Sequence, residues 1–265
     1  MAKIKVIVNG AAGKMGLETV KAISNADDLD LAGVCDVTLV DAPIKDLVKE
    51  VKNDLKIQKS LTELIKSTKA QVVVDFTHPH SALENVKAIL ENGAHAVVGT
   101  TGLSMDNLEE IKKACSKNNV NCIVAPNFAI GAVLMMKFSK EAARYMPEVE
   151  IIEMHHDQKA DAPSGTAIKT AELILSEINE VKRPDIKEIE KVKGVRGGSL
   201  GGINIHSVRL KGYVASQEVI FGGLGQTLKI RHDSINRASF MPGVVLAIRE
   251  VTKVKGLVYG LENLM

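Results

Sequence analysis

Two hydrophobic rhythms alternate along the first half of the chain. Residues 3–9 form a short β-branched run, followed by a glycine turn and helical spacing over 14–24. A second apolar run, 29–35, ends at Asp36. Helical spacing with charged faces recurs over 42–55 and 60–67. The run 71–76, centred on Val72-Val73-Val74, predicts a strand, and 81–91 predicts an amphipathic helix stopped by Asn92-Gly93. A strand over 94–99, a helix over 104–117 capped by Ser104, and a strand over 121–125 complete the series. Continuous apolar strands separated by helices mean parallel β-α-β units buried on both faces. The pattern predicts a doubly wound, Rossmann-type parallel sheet domain.

The rhythm then changes. Helical spacing over 129–146, a strand over 149–155 and a helix over 164–178 lead into a polar, proline-containing stretch, 180–193. A glycine-rich loop, 194–202, precedes three strand-like runs, 204–210, 217–221 and 227–231. Sequential strands with short connections favour antiparallel pairing, so a second domain of α+β type with a mainly antiparallel or mixed open sheet is expected. A last helix is expected over 237–252.

Composition narrows the classes. The 265 residues carry 34 Lys+Arg against 32 Asp+Glu, a net charge of +2, which argues against a phosphate-backbone binder. Aromatics are 3% with no Trp, too few for a single-strand stacking platform, so no nucleic-acid partner is expected. The uncharged stretch 121–136 is interrupted by Pro126, Asn127 and Gly131 and does not read as a membrane span. Three cysteines without a C-x-x-C pair, and no secretory signal pattern, fit a reducing cytoplasm. No metal-ligand spacing is apparent: His155, His156 and Asp157 are adjacent, and adjacent residues chelate one ion poorly.

Gly10-Ala11-Ala12-Gly13-Lys14-Met15-Gly16 directly follows the first strand. Gly10 permits a tight turn, Gly13 lets amides approach a pyrophosphate, and Gly16 lets the helix pack close to the strand. The helix start offers partial positive charge to phosphates. Asp36, at the end of the second strand, is placed to bind a ribose diol. Its carboxylate repels a 2′-phosphate and Val37 supplies no cation, which favours NADH; Lys14 keeps NADPH as an alternative. Phe76-Thr77, Gly99-Thr100-Thr101 and Ala125-Pro126-Asn127-Phe128 follow other strands, where open α/β sheets bind ligands. Taken alone, each is more often a turn with a capping Thr or Asn than a binding segment.

The densest chemistry lies over 153–167. His155 and His156 are adjacent, with Lys159 close behind, and successive strand residues diverge, so one imidazole can give a proton while the other holds substrate. Pro163-Ser164-Gly165-Thr166-Ala167 reads as a helix start with Ser164 as N-cap and bare amides at Gly165 and Thr166, a cradle for a small anion. Singly, each piece also reads as a surface residue or a plain cap.

His155-His156-x-x-Lys159-x-Asp161-Ala162-Pro163-Ser164-Gly165-Thr166-Ala167 resembles the signature of the 4-hydroxy-tetrahydrodipicolinate reductase (dihydrodipicolinate reductase) family. The resemblance runs over nearly the whole chain, through Gly10–Gly16, Asp75-Phe76-Thr77, Gly99-Thr100-Thr101-Gly102, Asn127-Phe128 and Arg237. It implies a homotetramer in the diaminopimelate route to lysine. Residues 1–126 with 237–265 would bind the nicotinamide cofactor, and 127–236 would bind a cyclic dicarboxylate and build the oligomer. It implies His155 as proton donor assisted by Lys159, and His156, Lys159, Ser164, Gly165, Thr166 and Arg237 around the substrate. Gly10–Gly16, Asp36, Phe76, Thr77, Gly99–Thr101 and Ala125–Phe128 would meet the cofactor. Ala215-Ser216-Gln217 departs from the Gly-Glu-His that many relatives carry, and Val37 replaces a frequent basic residue. Two other readings keep the dinucleotide domain: a dehydrogenase of an amino acid or its semialdehyde, and a cofactor sensor without turnover.

Overall fold

The computed structural model describes residues 2–178, 180–181 and 189–265; the middle of the polar stretch 180–193, at 182–188, lies outside the described residues. The chain forms two compact units, Met1–Phe128 with Phe240–Met265, and Ala129–Ser239.

In the first unit β1 (Ile4–Asn9) runs through the glycine turn into α1 (Lys14–Ser24), and β2 (Leu29–Cys35) follows. The Ser60 hydroxyl accepts the Glu63 amide and starts α2 (Leu61–Thr68), which stops at a left-handed Lys69. Then come β3 (Val72–Asp75) and α3 (Pro79–Glu91), which begins two residues before the expected start because Pro79 suits a first turn and His78 caps it. β4 (His95–Val98) precedes α4 (Met105–Asn118), where Ser104 and Asn107 form a reciprocal capping box, and β5 (Cys122–Val124) follows. The second unit holds α5 (Ile130–Ala143), β6 (Glu148–His155), α6 (Gly165–Ile178), β7 (Gly198–Leu200), β8 (Ile203–Arg209), β9 (Ala215–Gly223) and β10 (Gln226–Ser234). The chain returns to the first unit with α7 (Met241–Glu250) and β11 (Leu257–Tyr259).

Among the described residues the strands form two sheets. The first is parallel throughout, in the order β11-β5-β4-β3-β1-β2. β1 has β2 on one side and β3 on the other, so strand order reverses there, and the carboxyl ends of β1 and β3 face the crevice where such sheets take ligands. Ile7, Val73, Val98, Ile111 and Cys122 belong to the core on which this sheet packs. The second sheet, β10-β9-β6-β8-β7, is mixed: β6 and β8 run parallel, and the other pairs are antiparallel.

Three segments depart from the sequence pattern. Residues 42–55 are not a helix; only Ile44–Asp46 makes a short 3-10 turn. Pro43 instead bridges Lys56, the Ile44 amide donates to Leu55 and the Ile57 amide donates to Ala42, closing a loop. Ile44, Val48 and Val51, whose spacing mimics a helix, anchor that loop in the core. The glycine-rich loop contains β7, joined to β8 by Gly201-Gly202, both at positive φ as a two-residue hairpin requires. The last helix is preceded by a 3-10 turn, Arg237–Phe240, and β11 adds an edge strand beside β5 that the pattern did not indicate. Among the described residues no helix is long and apolar enough to cross a membrane.

α7 reaches the sheet unit through a close approach: a Cβ added at Gly243 would lie 2.0 Å from the Phe128 carbonyl oxygen. Gly243→Ala therefore forces backbone apart and lowers stability by about 1–3 kcal/mol, read as a smaller urea midpoint at unchanged slope.

Candidate active site

The glycine turn of the first unit is shaped by contact. Gly10 has φ +79°, and a Cβ there would lie 2.3 Å from the Phe76 carbonyl oxygen; a Cβ on Gly16 would lie 2.0 Å from the Gly10 carbonyl oxygen. Gly13 caps α1 with extended backbone, no side chain closes that helix end, and its first turn carries no acid. Ala11 and Gly16 are buried, Ala12 and Met15 half-buried, and Gly13 and Lys14 exposed. This bare, positively polarised helix start fits a pyrophosphate. Asp36 lies beside it, its Oδ2 accepting the Ala12 amide at 2.9 Å and its Oδ1 accepting the Thr38 amide and hydroxyl at 2.9 Å each. The carboxylate is thereby fixed at the rim of the turn, while Val37 next to it is 80% exposed.

The turns after β3 and β4 are tied together by Asp75, which is fully buried. Its Oδ1 accepts the hydroxyls of Thr77 (2.8 Å) and Thr100 (2.7 Å) and the Thr77 amide (3.2 Å). Its Oδ2 accepts the side-chain amides of Asn9 (2.7 Å) and Asn85 (3.1 Å). Gly99 is required because a Cβ would enter the Phe76 ring, and Phe76 meets Phe128 edge to face at 5.8 Å. Thr101 is exposed, Ala125 is buried with its amide on the Val98 carbonyl, and Pro126 is exposed. Sequence reading singled out Thr77 and Thr100 but gave Asp75, Asn9 and Asn85 no role in the site.

In the second unit β6 ends at His155, and the next residue leaves the strand. His155 shares a sheet face with Glu153 two residues earlier, and its Nδ1 lies 2.6 Å from Glu153 Oε2. Arg209 stands across from His155 in the β6–β8 register. Its Nη1 and Nη2 donate to the two Glu153 oxygens at 2.9 and 2.8 Å, and its remaining N–H groups hold the carbonyls of Lys159, Asp161 and Val208. The Ser164 amide donates to Glu153 Oε1 at 3.2 Å, while the Ser164 hydroxyl caps α6 by accepting the Ala167 amide. Gly165 is exposed, with open space where a side chain would stand. Lys159 Nζ lies 2.7 Å from both oxygens of Asp161, and His156 is half-buried beside that turn.

One buried carboxylate thus joins the imidazole and the start of α6, and through Arg209 the lysine loop. Burial alone would raise the Glu153 carboxyl, but hydrogen bonds from His155, Arg209 and Ser207 outweigh it and hold it at about 2 instead of 4.5. Sequence reading missed Glu153 and Arg209 as site residues. The i, i+2 spacing of Glu153 and His155 on a strand was the available signal; Arg209 had none without the register. Arg237 is exposed on its 3-10 turn, and among the described residues no hydrogen bond or ion pair joins it to this cluster.

Known proteins share this architecture. The family models described as "Dihydrodipicolinate reductase, N-terminus" and "Dihydrodipicolinate reductase, C-terminus" match residues 4–128 and 131–265. The 4-hydroxy-tetrahydrodipicolinate reductase of Syntrophomonas wolfei is 51% identical over 99% of both chains. That of Desulfitobacterium hafniense is 49% identical over the full length of both. Among solved structures, a dipicolinate-bound dihydrodipicolinate reductase from Paenisporosarcina sp. TG-14 is 46% identical with a TM-score of 0.88, covering 99% of this chain and all of that one.

The depressed Glu153 carboxyl sets a pH dependence. The unfolded chain takes up this proton first, so the stabilisation is complete above the ordinary value and is lost as pH falls toward the folded one. Urea titrations from about pH 5 to about pH 2 should show wild type losing roughly 3 kcal/mol more stability than Glu153→Gln.

Proposed function

The chain belongs to the dihydrodipicolinate reductase family, and on that premise we propose the finer reading of its pyridine-nucleotide-dependent reduction. The substrate is 4-hydroxy-2,3,4,5-tetrahydrodipicolinate and the product 2,3,4,5-tetrahydrodipicolinate, with His155 as proton donor and NADH preferred. The observation that carries this reading is the convergence on one ion pair, Glu153–Arg209, of His155 and the amide end of α6 at the carboxylate and of the Lys159 loop at the guanidinium.

The first unit would hold the cofactor. The amides at the start of α1 would face the pyrophosphate and Asp36 the ribose, with Phe76, Thr77, Gly99, Thr100, Thr101 and the 125–128 turn forming the rest of the crevice. When bound, the nicotinamide supplies a hydride to the ring C=C, conjugated to the imine, that loss of water leaves in the substrate. Addition drives the displaced electron pair toward the imine nitrogen, and the adjacent carbon must take a proton. His155 gives it from Nε2, because Nδ1 is engaged by Glu153. Lys159 and the α6 start bind the two substrate carboxylates, with His156 and Arg237 as further donors. The Lys159–Asp161 pair supports this role: Asp161 is exposed, so its contact is weak, on the order of 0–1 kcal/mol, and a substrate carboxylate can replace it.

The reading also includes a homotetramer formed through the second sheet. α5 and α6 cover one face of that sheet: Gly131 approaches His232, and Gln217 donates to Thr170. By strand alternation the opposite face carries Glu150, Ile152, His206, Glu218, Ile220 and Arg231, a mix of apolar and charged groups suited to self-association. Light scattering should give four times the 28.5 kDa chain mass. The buried free cysteines Cys35, Cys115 and Cys122 agree with a reducing, cytoplasmic setting.

Supplying enzymatically made substrate and following loss of reduced-cofactor absorbance, with NADH and NADPH in parallel, tests the function directly. Turnover with NADH ahead of NADPH is expected; oxidation of neither would reject the reading. His155→Ala should lower kcat about 10²- to 10⁴-fold with cofactor affinity unchanged. Val37→Arg should raise the kcat/KM ratio of NADPH to NADH about 10-fold by pairing with the 2′-phosphate.

A further inference from the structure

Glu153 is fully buried, yet it is ringed by donors: two guanidinium nitrogens of Arg209, the Ser164 amide and the Ser207 hydroxyl. So supplied, it is an ionised carboxylate with acceptor capacity only. The 2.6 Å contact with His155 Nδ1 then admits one arrangement of hydrogen. Two acceptors do not meet at that distance, so Nδ1 carries the proton and donates it to Glu153. Resting on the reading of His155 as donor, we propose that Glu153, locked by Arg209, is its positioning residue. It fixes the ring plane and the Nδ1–H tautomer, so that Nε2 is the nitrogen that gives the proton to the substrate carbon.

The step balances on this assignment. The Nε2–H bond of the imidazolium breaks as the new C–H bond forms, and the electron pair left on Nε2 makes the ring neutral. The remaining proton stays on Nδ1 against Glu153, and solvent returns a proton to Nε2 for the next turnover. Arg209 is what makes the lock rigid. Its fork grips both Glu153 oxygens while the same side chain holds the Lys159 and Asp161 carbonyls, so the imidazole and the lysine loop are referred to one frame.

A double-mutant cycle with ¹⁵N NMR of the histidine ring tests the proposal. Glu153→Gln alone should lower kcat about 10- to 100-fold while substrate KM stays within about threefold. Adding Glu153→Gln to His155→Ala should change kcat less than about twofold, because the lost function is already gone. Titrated to the pH at which the ring is neutral, the wild-type His155 spectrum should be that of the Nδ1–H tautomer, and in Glu153→Gln it should become a mixture. Independent, multiplying effects in the cycle, or an Nε2–H tautomer in wild type, would overturn it. Should Glu153→Gln fail to fold, the wild-type spectrum alone decides. If His155→Ala keeps wild-type kcat, it is the donor reading that fails, and the spectrum still reports whether Glu153 holds the ring.

Discussion

Arg209 distributes its N–H groups over Glu153, Lys159, Asp161 and Val208, so the buried carboxylate and the lysine loop are referred to one guanidinium. A carboxylate buried as fully as Glu153 is costly to ionise, and its desolvation is offset only when each lone pair finds a partner, while the Arg209 side chain keeps 19% of its exposure. Here that condition is met: the carboxylate takes the fork, an imidazole, a helix-start amide and a hydroxyl. Removing Arg209 would leave the buried carboxylate without its counter-charge, a loss of about 3–5 kcal/mol, so the pair fixes geometry more than it adds stability. The β6–β8 parallel register is what brings the partners within reach, since it sets Arg209 across from His155.

The first unit solves a similar problem without a cation. Asp75 ends β3 at the crevice, fully buried, and is satisfied by neutral donors from four residues. Asn9 comes from the end of β1, Thr77 and Asn85 from the β3–α3 connection and α3, and Thr100 from the turn after β4. Three adjacent strand ends are thereby held in one arrangement, which a set of independent turns would not guarantee. In both units, then, a buried carboxylate at a strand's carboxyl end converts flexible loops into a defined surface.

What the sequence makes legible follows from which forces are local. α1 and β2 have the boundaries read from spacing, because apolar period and punctuation coincide there. The segment 42–55 misleads since Ile44, Val48 and Val51 carry helical spacing but Pro43 and a closing bridge to Lys56 decide the backbone. β11 is three residues long and gains its pairing only by lying beside β5, which no local signal announces. The glycine turn, Asp36 and the 155–166 block are contiguous motifs and stand out by composition. Glu153 and Arg209 are 56 residues apart, and their union exists only in the folded register.

The contrast between two ion pairs explains how a site can be rigid and still bind. Glu153–Arg209 is saturated, with its carboxylate fully buried and its guanidinium side chain 19% exposed. Lys159–Asp161 differs: its carboxylate side chain is 68% exposed, so water screens the attraction and leaves little to lose on separation. On the proposed reading, an incoming dianion would bring its own carboxylates to Lys159 and replace Asp161 with a partner held by the rest of the site. The ammonium is therefore kept oriented before binding without being trapped. Because the Lys159 backbone carbonyl is itself held by Arg209, the lysine would on that reading change partner by rotating its side chain while its loop stays in place. The frame and the exchangeable contact thus lie close together in the fold, and what separates them is that the Glu153 carboxylate is buried and saturated while that of Asp161 is exposed.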